Sequence, residues 1–598
     1  MADTPLKLNL KACLLFATLL LATKYLVINL FGNATPFWDQ WDGEASNLFL
    51  PWINGVLHFS DLVAPHNEHR ILTMRLLSLG LLILNGGIWN PILEMFVNAV
   101  VHVFALFILI FCIGKSVPSK RIIYLLAFSF LIFSIPFGWE NTLAGFQSQF
   151  YFLLLFSFGF LWIISTKEPH SKIWWLGVFL GILCPLSLAS GALTLGVGVF
   201  IIMGRVFLLR DFQEKDKLAL MTAALLLIIT TAAIYATPTL AYHAQFKARN
   251  LHEFFHAFML ACSWPLKSVV FAALIQAPIS LFFYLFVRFP GWRQKPYIFL
   301  IALQFWVFAQ FATLAYGRYS LVLSSRYLDL FTIGLALNFG ILLIFLDKST
   351  GFFKLIARLS IVVWLLAIFF GIMGVKEKLF EELVAKKTTG ANQEKNIRGY
   401  LCTGDETYLS NKSFLDIPYP DSVRLKMLLD ISELRSILPN NVVYRENVMS
   451  PLGINKAQFC DYKLLIKPFS VLPAAQESFH QLAPSNVVIK STWSGLDFFR
   501  SAIPGVKIYG SFISSDEDVG ILEFGLTKGQ KILYRSGPIN SKQLILINDG
   551  KNKFSTEMPI ANDWVVLSFS NPSLPERFSV LLIDGGTGWG EWSAAAFN

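Results

Sequence analysis

From residue 10 to residue 374 the chain is a succession of apolar runs, each about as long as a bilayer core is thick. They cover 10–31, 92–114, 121–137, 149–166, 174–188, 190–207, 217–236, 266–287, 297–315, 327–346 and 355–374. A helix needs about 20 residues to cross the hydrocarbon. In lipid a backbone must also satisfy its own hydrogen bonds, which restricts such runs to helices. The pattern predicts about eleven spanning helices. The pair 174–207 is interrupted by PLSLASG (185–191), which also allows two short helices meeting at a bend. The first run, Leu10–Phe31, is too long for a signal-peptide core and lacks a small-residue cleavage site, so it is expected to stay as a span. The rest of the composition agrees: 55% of the 598 residues are apolar, 56 are Phe and only 15% are charged.

The net charge of +10 does not indicate nucleic acid, because the positive residues gather in short loops where membrane topology explains them. With the N-terminus inside, the inner loops hold Lys115, Lys120, Arg121, Lys167, Lys172, Arg205, Arg210, Lys215, Lys217, Arg288, Arg293, Lys295, Lys348 and Lys354. The outer loops hold only Arg70, Arg75, Lys247, Arg249, Arg318 and Arg326. An odd number of spans then puts the C-terminal part outside. Three segments are expected: a membrane domain at 1–374, a mixed α/β region at 375–500 and an antiparallel β-sandwich at 501–598, the last two extracytoplasmic. Within 375–500, KEKLFEELVAKK (376–387) and RLKMLLDISELRSIL (424–438) read as helices. From about residue 500 six short strands are expected: VKIYGSFIS, GILEFGL, KILYRSG, QLILIND, DWVVLSFS and RFSVLLIDG, with NDGKN (548–552) as a turn. Cys402 and Cys460 are the two cysteines outside the spans, free to pair in an oxidising compartment.

The outer loops carry the unusual polar residues. PFWDQWDGEA (36–45) follows the first span, HNEHR (66–70) comes soon after, and a helix at 43–57 and an interfacial helix at 71–84 are expected between and beyond them. GWENTLAGFQSQ (138–149), AYHAQFKARNLHEFFH (241–256) and YGRYSLVLSSRY (316–327) fall on the same side. A carboxylate at the membrane surface can act as general base toward a hydroxyl, and Asp39, Asp42 and Glu44 are the candidates; Asp42 also suits a helix N-cap. His66, Glu68, His69 and Arg70 suit substrate hydroxyls or a phosphate, with Arg70 as anion contact. His66 and His69 with a carboxylate also admit a divalent metal such as zinc or manganese. Otherwise they form a polar cap on the interfacial helix. Glu94, Asn98 and His102 make a polar stripe on one helix face, facing the bundle interior either functionally or for helix–helix hydrogen bonds. Glu140, Gln147 and Gln149 suit sugar hydroxyls or a solvated turn. Arg318, Arg326 with Tyr327, and more weakly Arg249 and Lys247, suit a phosphate at the membrane surface. Simple pairing of Arg326 with Asp329 is the structural alternative. Trp38, Trp41, Trp52, Trp89 and Trp139 fit an interfacial belt. The tryptophans of GGTGWGEWSA (585–594) suit either sandwich packing or carbohydrate. The chain has no P-loop and no GxGxxG unit.

Many spans, acidic residues directly after the first of them in FWDQWDGEA, and a soluble C-terminal domain together resemble the GT-C superfamily of membrane glycosyltransferases. The resemblance is architectural over 1–374. It implies an Asp or Glu base in the first outer loop, here Asp39 first and Asp42 second. It also implies a sugar donor on a polyprenyl phosphate and a late-span arginine at the donor phosphate, here Arg326. HNEHR is not a general signature of that superfamily. The last hundred residues or so are similar to carbohydrate-binding modules appended to some members, such as mycobacterial arabinosyltransferases. The expected partners are a polyprenyl-phosphate-linked sugar, a glycan, lipid or protein acceptor, and the cytoplasmic membrane, with no resident cofactor. The competing readings are a polymerase or ligase using diphosphate-linked glycans, a lipid or glycan transporter with Glu94 and His102 as proton relay, and a non-catalytic glycan-binding scaffold.

Overall fold

The computed structural model describes residues 10–598 except 170, 213–214, 411, 414, 450–455, 461–468, 475–481, 485–487, 540–541, 549–552 and 571–573. The turn expected at 548–552 therefore lies largely outside the described residues. The chain divides into two compact units: Met1–Gly32 with Asp39–Glu377, and Asn33–Trp38 with Lys378–Asn598.

The first unit is a helical bundle. Its main helices are α1 (Leu10–Phe31), α2 (Leu50–Ile53), α3 (Phe59–Val63), α4 (Leu72–Leu84), α5 (Pro91–Gly114), α6 (Ile122–Ser134), α7 (Trp139–Thr142) and α8 (Ser148–Thr166). Then come α9 (Lys172–Leu183), α10 (Gly191–Met203), α11 (Asp216–Tyr235), α12 (Leu251–Ser263), α13 (Ala272–Arg288), α14 (Lys295–Gly317), α15 (Ser325–Lys348) and α16 (Gly351–Met373). Nine helices among the described residues are long and apolar enough to cross a membrane, so the chain reads as a multi-pass membrane protein. The other two expected spans, at 121–137 and 174–188, form the shorter helices α6 of 13 residues and α9 of 12. At 1.5 Å per residue each measures only about 20 Å. Pro136 follows α6, and α9 stops at the PLSLASG break. The expected helix at 43–57 is a nine-residue π-helical stretch, Trp41–Phe49, running into α2, and the expected interfacial helix is α4. The segment at 241–256, read as a loop, instead contains the first six residues of α12, capped by the Asn250 side chain on the Glu253 amide.

Contacts identify two ends of this bundle. At one, Lys120 pairs with Asp347 (2.8 Å) and Lys295 with Glu168 (2.7 Å), while the fully buried Arg205 holds Asp211 and the carbonyls of Ile164 and Lys167. At the other, the Leu72 amide donates to Leu186 O (2.9 Å), Asn141 Nδ2 to Arg326 O (2.7 Å) and the Ala248 amide to Tyr316 O (2.8 Å). The polar outer-loop segments fall at this second end, here called the Asp39 end.

The second unit holds most of α17 (Lys376–Thr403), then α18 (Ser422–Asp430) and α19 (Ser432–Ile437). The single helix expected at 424–438 is thus broken at Ile431, which is extended (φ −71°, ψ 116°). Asp430, just before the break, binds Tyr400 Oη (2.6 Å), Lys426 (2.9 Å) and Arg435 (3.1 Å). Cys402 and Cys460 form a disulfide with Cα atoms 5.7 Å apart. Two five-stranded antiparallel sheets follow. One orders Ser470–Pro473, Val565–Ser568, Lys531–Ser536, Ser593–Phe597 and Lys507–Gly510. The other orders Val488–Ser491, Gly520–Thr527, Arg577–Asp584, Gln543–Asn548 and Lys553–Glu557. Their inner faces share one core, with Leu522, Phe524, Ile545 and Leu582 from the second sheet against Ile532, Tyr534, Leu567 and Phe597 from the first.

Candidate functional site

HNEHR does not cap the interfacial helix; it folds as a two-stranded hairpin. Its strands, β1 (Pro65–His66) and β2 (His69–Arg70), pair His66 with His69. Asn67 opens the turn at φ 51°, a left-handed conformation that Asn tolerates better than most residues, and its Oδ1 accepts from Tyr242 Oη (2.7 Å). Arg70 is spent on backbone carbonyls, donating to Val63 O (2.9 Å) and Ala236 O (3.2 Å). Glu68 is pinned by Arg318 and by His243 Nδ1 (2.9 Å). Arg318 also reaches the Tyr327 hydroxyl. Burial pushes the His69 imidazole down to about 4, leaving it neutral near neutral pH.

Asp39 stands beside this hairpin. Its side chain is 35% exposed, and Oδ1 lies 3.5 Å from His66 Nε2. Its charge also acts on His69, Tyr242 and Arg326. Arg326, 44% exposed, pairs with Glu140 (3.1 Å) rather than with Asp329. Glu140 Oε2 additionally accepts from Ser324 (3.0 Å), Ser325 (2.6 Å) and the Arg326 amide (3.0 Å), so it caps the N-terminus of α15. Burial pushes the Glu140 carboxyl up, but Arg326 and these donors outweigh it and hold the group below the ordinary carboxylate value. Asp329 is bonded instead by Asn141 Nδ2 (3.0 Å).

Behind Asp39 the scaffold is polar and dry. Gln40 Nε2 donates one hydrogen to Glu44 (2.8 Å) and the other to Glu94 (2.8 Å), and Ser78 Oγ donates to the second Glu44 oxygen (2.9 Å). Glu44 is fully buried, and Glu94, Asn98 and His102 are each at most 3% exposed. The stripe on α5 therefore faces the bundle interior. Asn98 donates to Gly145 O (2.6 Å) and His102 stacks on Tyr151 at 4.1 Å. Gly43 is required where it stands, because a side chain there would meet the buried ring of Phe146, with His66 just beyond. Gly43→Ala is expected to destabilise the unit by about 1–3 kcal/mol, read as a lower unfolding midpoint in detergent.

Asp42 is half-buried in the π-helical stretch, a conformation often found at functional sites. Gln149, buried, donates to Gln147 (3.1 Å), and Arg249 is exposed, its amide capped by Glu253 (2.7 Å). The Asp39 end thus brings together Asp39, His66, Glu68, His69, Arg318, Arg326 and Tyr327. Arg249 and Gln149 make their described hydrogen bonds elsewhere, with Glu253 and Gln147. Sequence reasoning missed Gln40, Tyr242 and His243; His243 had a signal, as one of few histidines in an outer segment. A cavity of about 270 Å³ adjoins the hairpin, lined by Glu68, Arg70 and mostly apolar residues such as Ile182, Leu186, Ile229 and Ala233. Among the described residues no group of three or more His, Cys, Asp or Glu is arranged to hold a metal ion.

No family model matches the chain, and no curated protein matches it. Among solved structures, the chain is similar to the Archaeoglobus fulgidus oligosaccharyltransferase, crystallised with zinc and sulfate, at a TM-score of 0.40 and 13% identity. The match covers 67% of this chain and 57% of that one, so the chain spans little more than half of that neighbour's length.

Proposed function

We propose that this chain is an inverting glycosyltransferase of the GT-C kind. It moves a sugar from a polyprenyl-phosphate lipid to a cell-envelope glycan, lipid or protein acceptor at the outer face of the cytoplasmic membrane. The observation that carries this reading is the meeting of a partly exposed carboxylate, Asp39, with the field of an exposed arginine, Arg326, at one end of a membrane bundle. Asp39 takes the proton from the acceptor hydroxyl, and Arg326 holds the departing phosphate. The apolar cavity beside Glu68 and Arg70 suits the lipid part of the donor. The excess of Lys and Arg at the opposite end supports a cytoplasmic side there and an extracytoplasmic Asp39 end. The contacts flanking α6 and α9 support passage of both short helices through the bundle: α6 is preceded by Lys120 and Arg121 at Asp347 and followed by Glu140 at Arg326. The segment after α9 meets His69 and Leu72, whereas α9 starts beside Lys167 and Glu168, at the other end.

The test is turnover by the full chain in liposomes, offered a panel of radiolabelled polyprenyl-phosphate sugars with envelope glycan acceptors. Release of free polyprenyl phosphate with label gained by an acceptor is expected. Turnover of diphosphate-linked donors alone would move the chain to the polymerase or ligase class. Labelled lipid crossing the bilayer with no bond broken would make it a transporter.

A further inference from the structure

The pairing of Asp39 with His66 assigns a part to the histidine that substrate contact does not require. The His66 side chain is 10% exposed, and its Nε2 is buried with no hydrogen-bond partner, yet it points at Asp39 Oδ1 from 3.5 Å. A buried ring nitrogen left in that state costs stability unless a partner arrives. The ring is also well fixed. It packs on Phe146 with centroids 5.1 Å apart, and strand pairing with His69 fixes its backbone. Asp39, three times as exposed, has its other oxygen for an incoming hydroxyl.

We propose that His66 is a proton-relay residue acting through Asp39. This rests on the transferase reading given above. The acceptor oxygen forms its bond to the sugar anomeric carbon as the carbon–oxygen bond to the lipid phosphate breaks. The phosphate leaves with that electron pair. The acceptor proton passes to Asp39 and then to His66 Nε2 as the 3.5 Å gap closes. An imidazole is ordinarily a better proton acceptor than a carboxylate, so Asp39 returns to its basic form before product leaves, and the imidazolium later releases its proton to solvent. The charged and titratable groups around His66 are Asp39 before the π-helical stretch and His69 and Glu68 on the hairpin. Arg318 and His243 lie beyond Glu68, and Arg326 with Glu140 lies on the far side of Asp39. Among the described residues, Asp39 is the charged group paired with the His66 ring.

Two measurements test this. Histidine-labelled full-length protein in nanodiscs is compared by nitrogen NMR at one fixed pH, with His66→Gln identifying the resonance. Asp39→Asn is expected to move the His66 ring-nitrogen resonance, because the group facing Nε2 at 3.5 Å loses its charge. An unmoved resonance overturns the pairing, whatever the chain's activity. Transfer rates of His66→Gln are then compared with wild type across pH 5–9. Loss of the imidazole limb on the acid side, with kcat lowered at least tenfold and KM unchanged, is expected. A profile and kcat equal to wild type, or a change in KM alone, overturns the relay. A wild-type chain that transfers nothing overturns the transferase reading, while the resonance comparison still decides the pairing.

Discussion

Asp39→Asn is expected to abolish transfer, with kcat falling by about 10²–10⁴-fold and the protein still folded. The amide keeps the size and shape of the carboxylate but cannot accept a proton. The fold does not depend on the charge: the local backbone bond, Gly43 amide to Asp39 O at 2.7 Å, is untouched, and the side chain is one-third exposed. Asp39 ranks ahead of Asp42 because it is paired with His66 and its charge is felt at Arg326. Single-turnover rates with the same donor, beside far-UV circular dichroism of each variant, decide the matter. A fully active Asp39→Asn with an inactive Asp42→Asn would transfer the base to Asp42. Full activity in both would remove the base from this loop altogether.

The membrane unit was legible in the sequence because its signal is long and one-dimensional. Twenty apolar residues have few alternatives, and the α5 stripe of Glu94, Asn98 and His102 at intervals of four could only share a face. The shorter segments were harder. The hairpin of HNEHR has only two residues per strand and is held from outside, by Tyr242 on Asn67 and by Arg318 and His243 on Glu68. No local pattern predicts such partners. The Arg326–Asp329 spacing suggested a helix pair, but Glu140, 186 residues earlier, sits at the α15 N-terminus, where the helix dipole also favours a carboxylate. In the second unit the six expected strands are all present. The four that sequence reading missed include Ser593–Phe597, whose SAAAF is mostly alanine, a residue depleted in strands that is placed here by a fully buried position in the sheet. Gln40 went unnoticed for a similar reason. An amide becomes important only once two distant carboxylates flank it.

Those two carboxylates give the second large expected effect. Burial pushes the Glu44 carboxyl up to about 7, against the smaller opposing influence of its bonds to Gln40 and Ser78. Between about 4.5 and about 7 the folded chain therefore keeps a proton at Glu44 that the unfolded chain has released. Stability from this group is present at the lower pH and lost as pH rises through that window, by about 3 kcal/mol in all at ~1.4 kcal/mol per unit. His69 works in the opposite direction. Its imidazole is pushed down to about 4, so the unfolded chain binds the extra proton and stability grows with pH up to the ordinary imidazole range. The wild-type curve hence includes slopes of opposite sign, and the informative quantity is a difference. Glu44→Gln removes only the first. Its amide keeps both neighbours, since the Ser78 hydroxyl can turn to accept and Gln40 still finds an oxygen. Relative to wild type, Glu44→Gln is expected to be about level at pH 4.5 and about 3 kcal/mol more stable at pH 8, measured by denaturant titration in mixed micelles. Ser78→Ala, which removes a bond that favours the charged carboxylate, should keep the sign of the wild-type slope and carry it to higher pH. A Glu44→Gln difference that does not change with pH would mean that Glu44 keeps no proton on folding and is held as a charge by some other means.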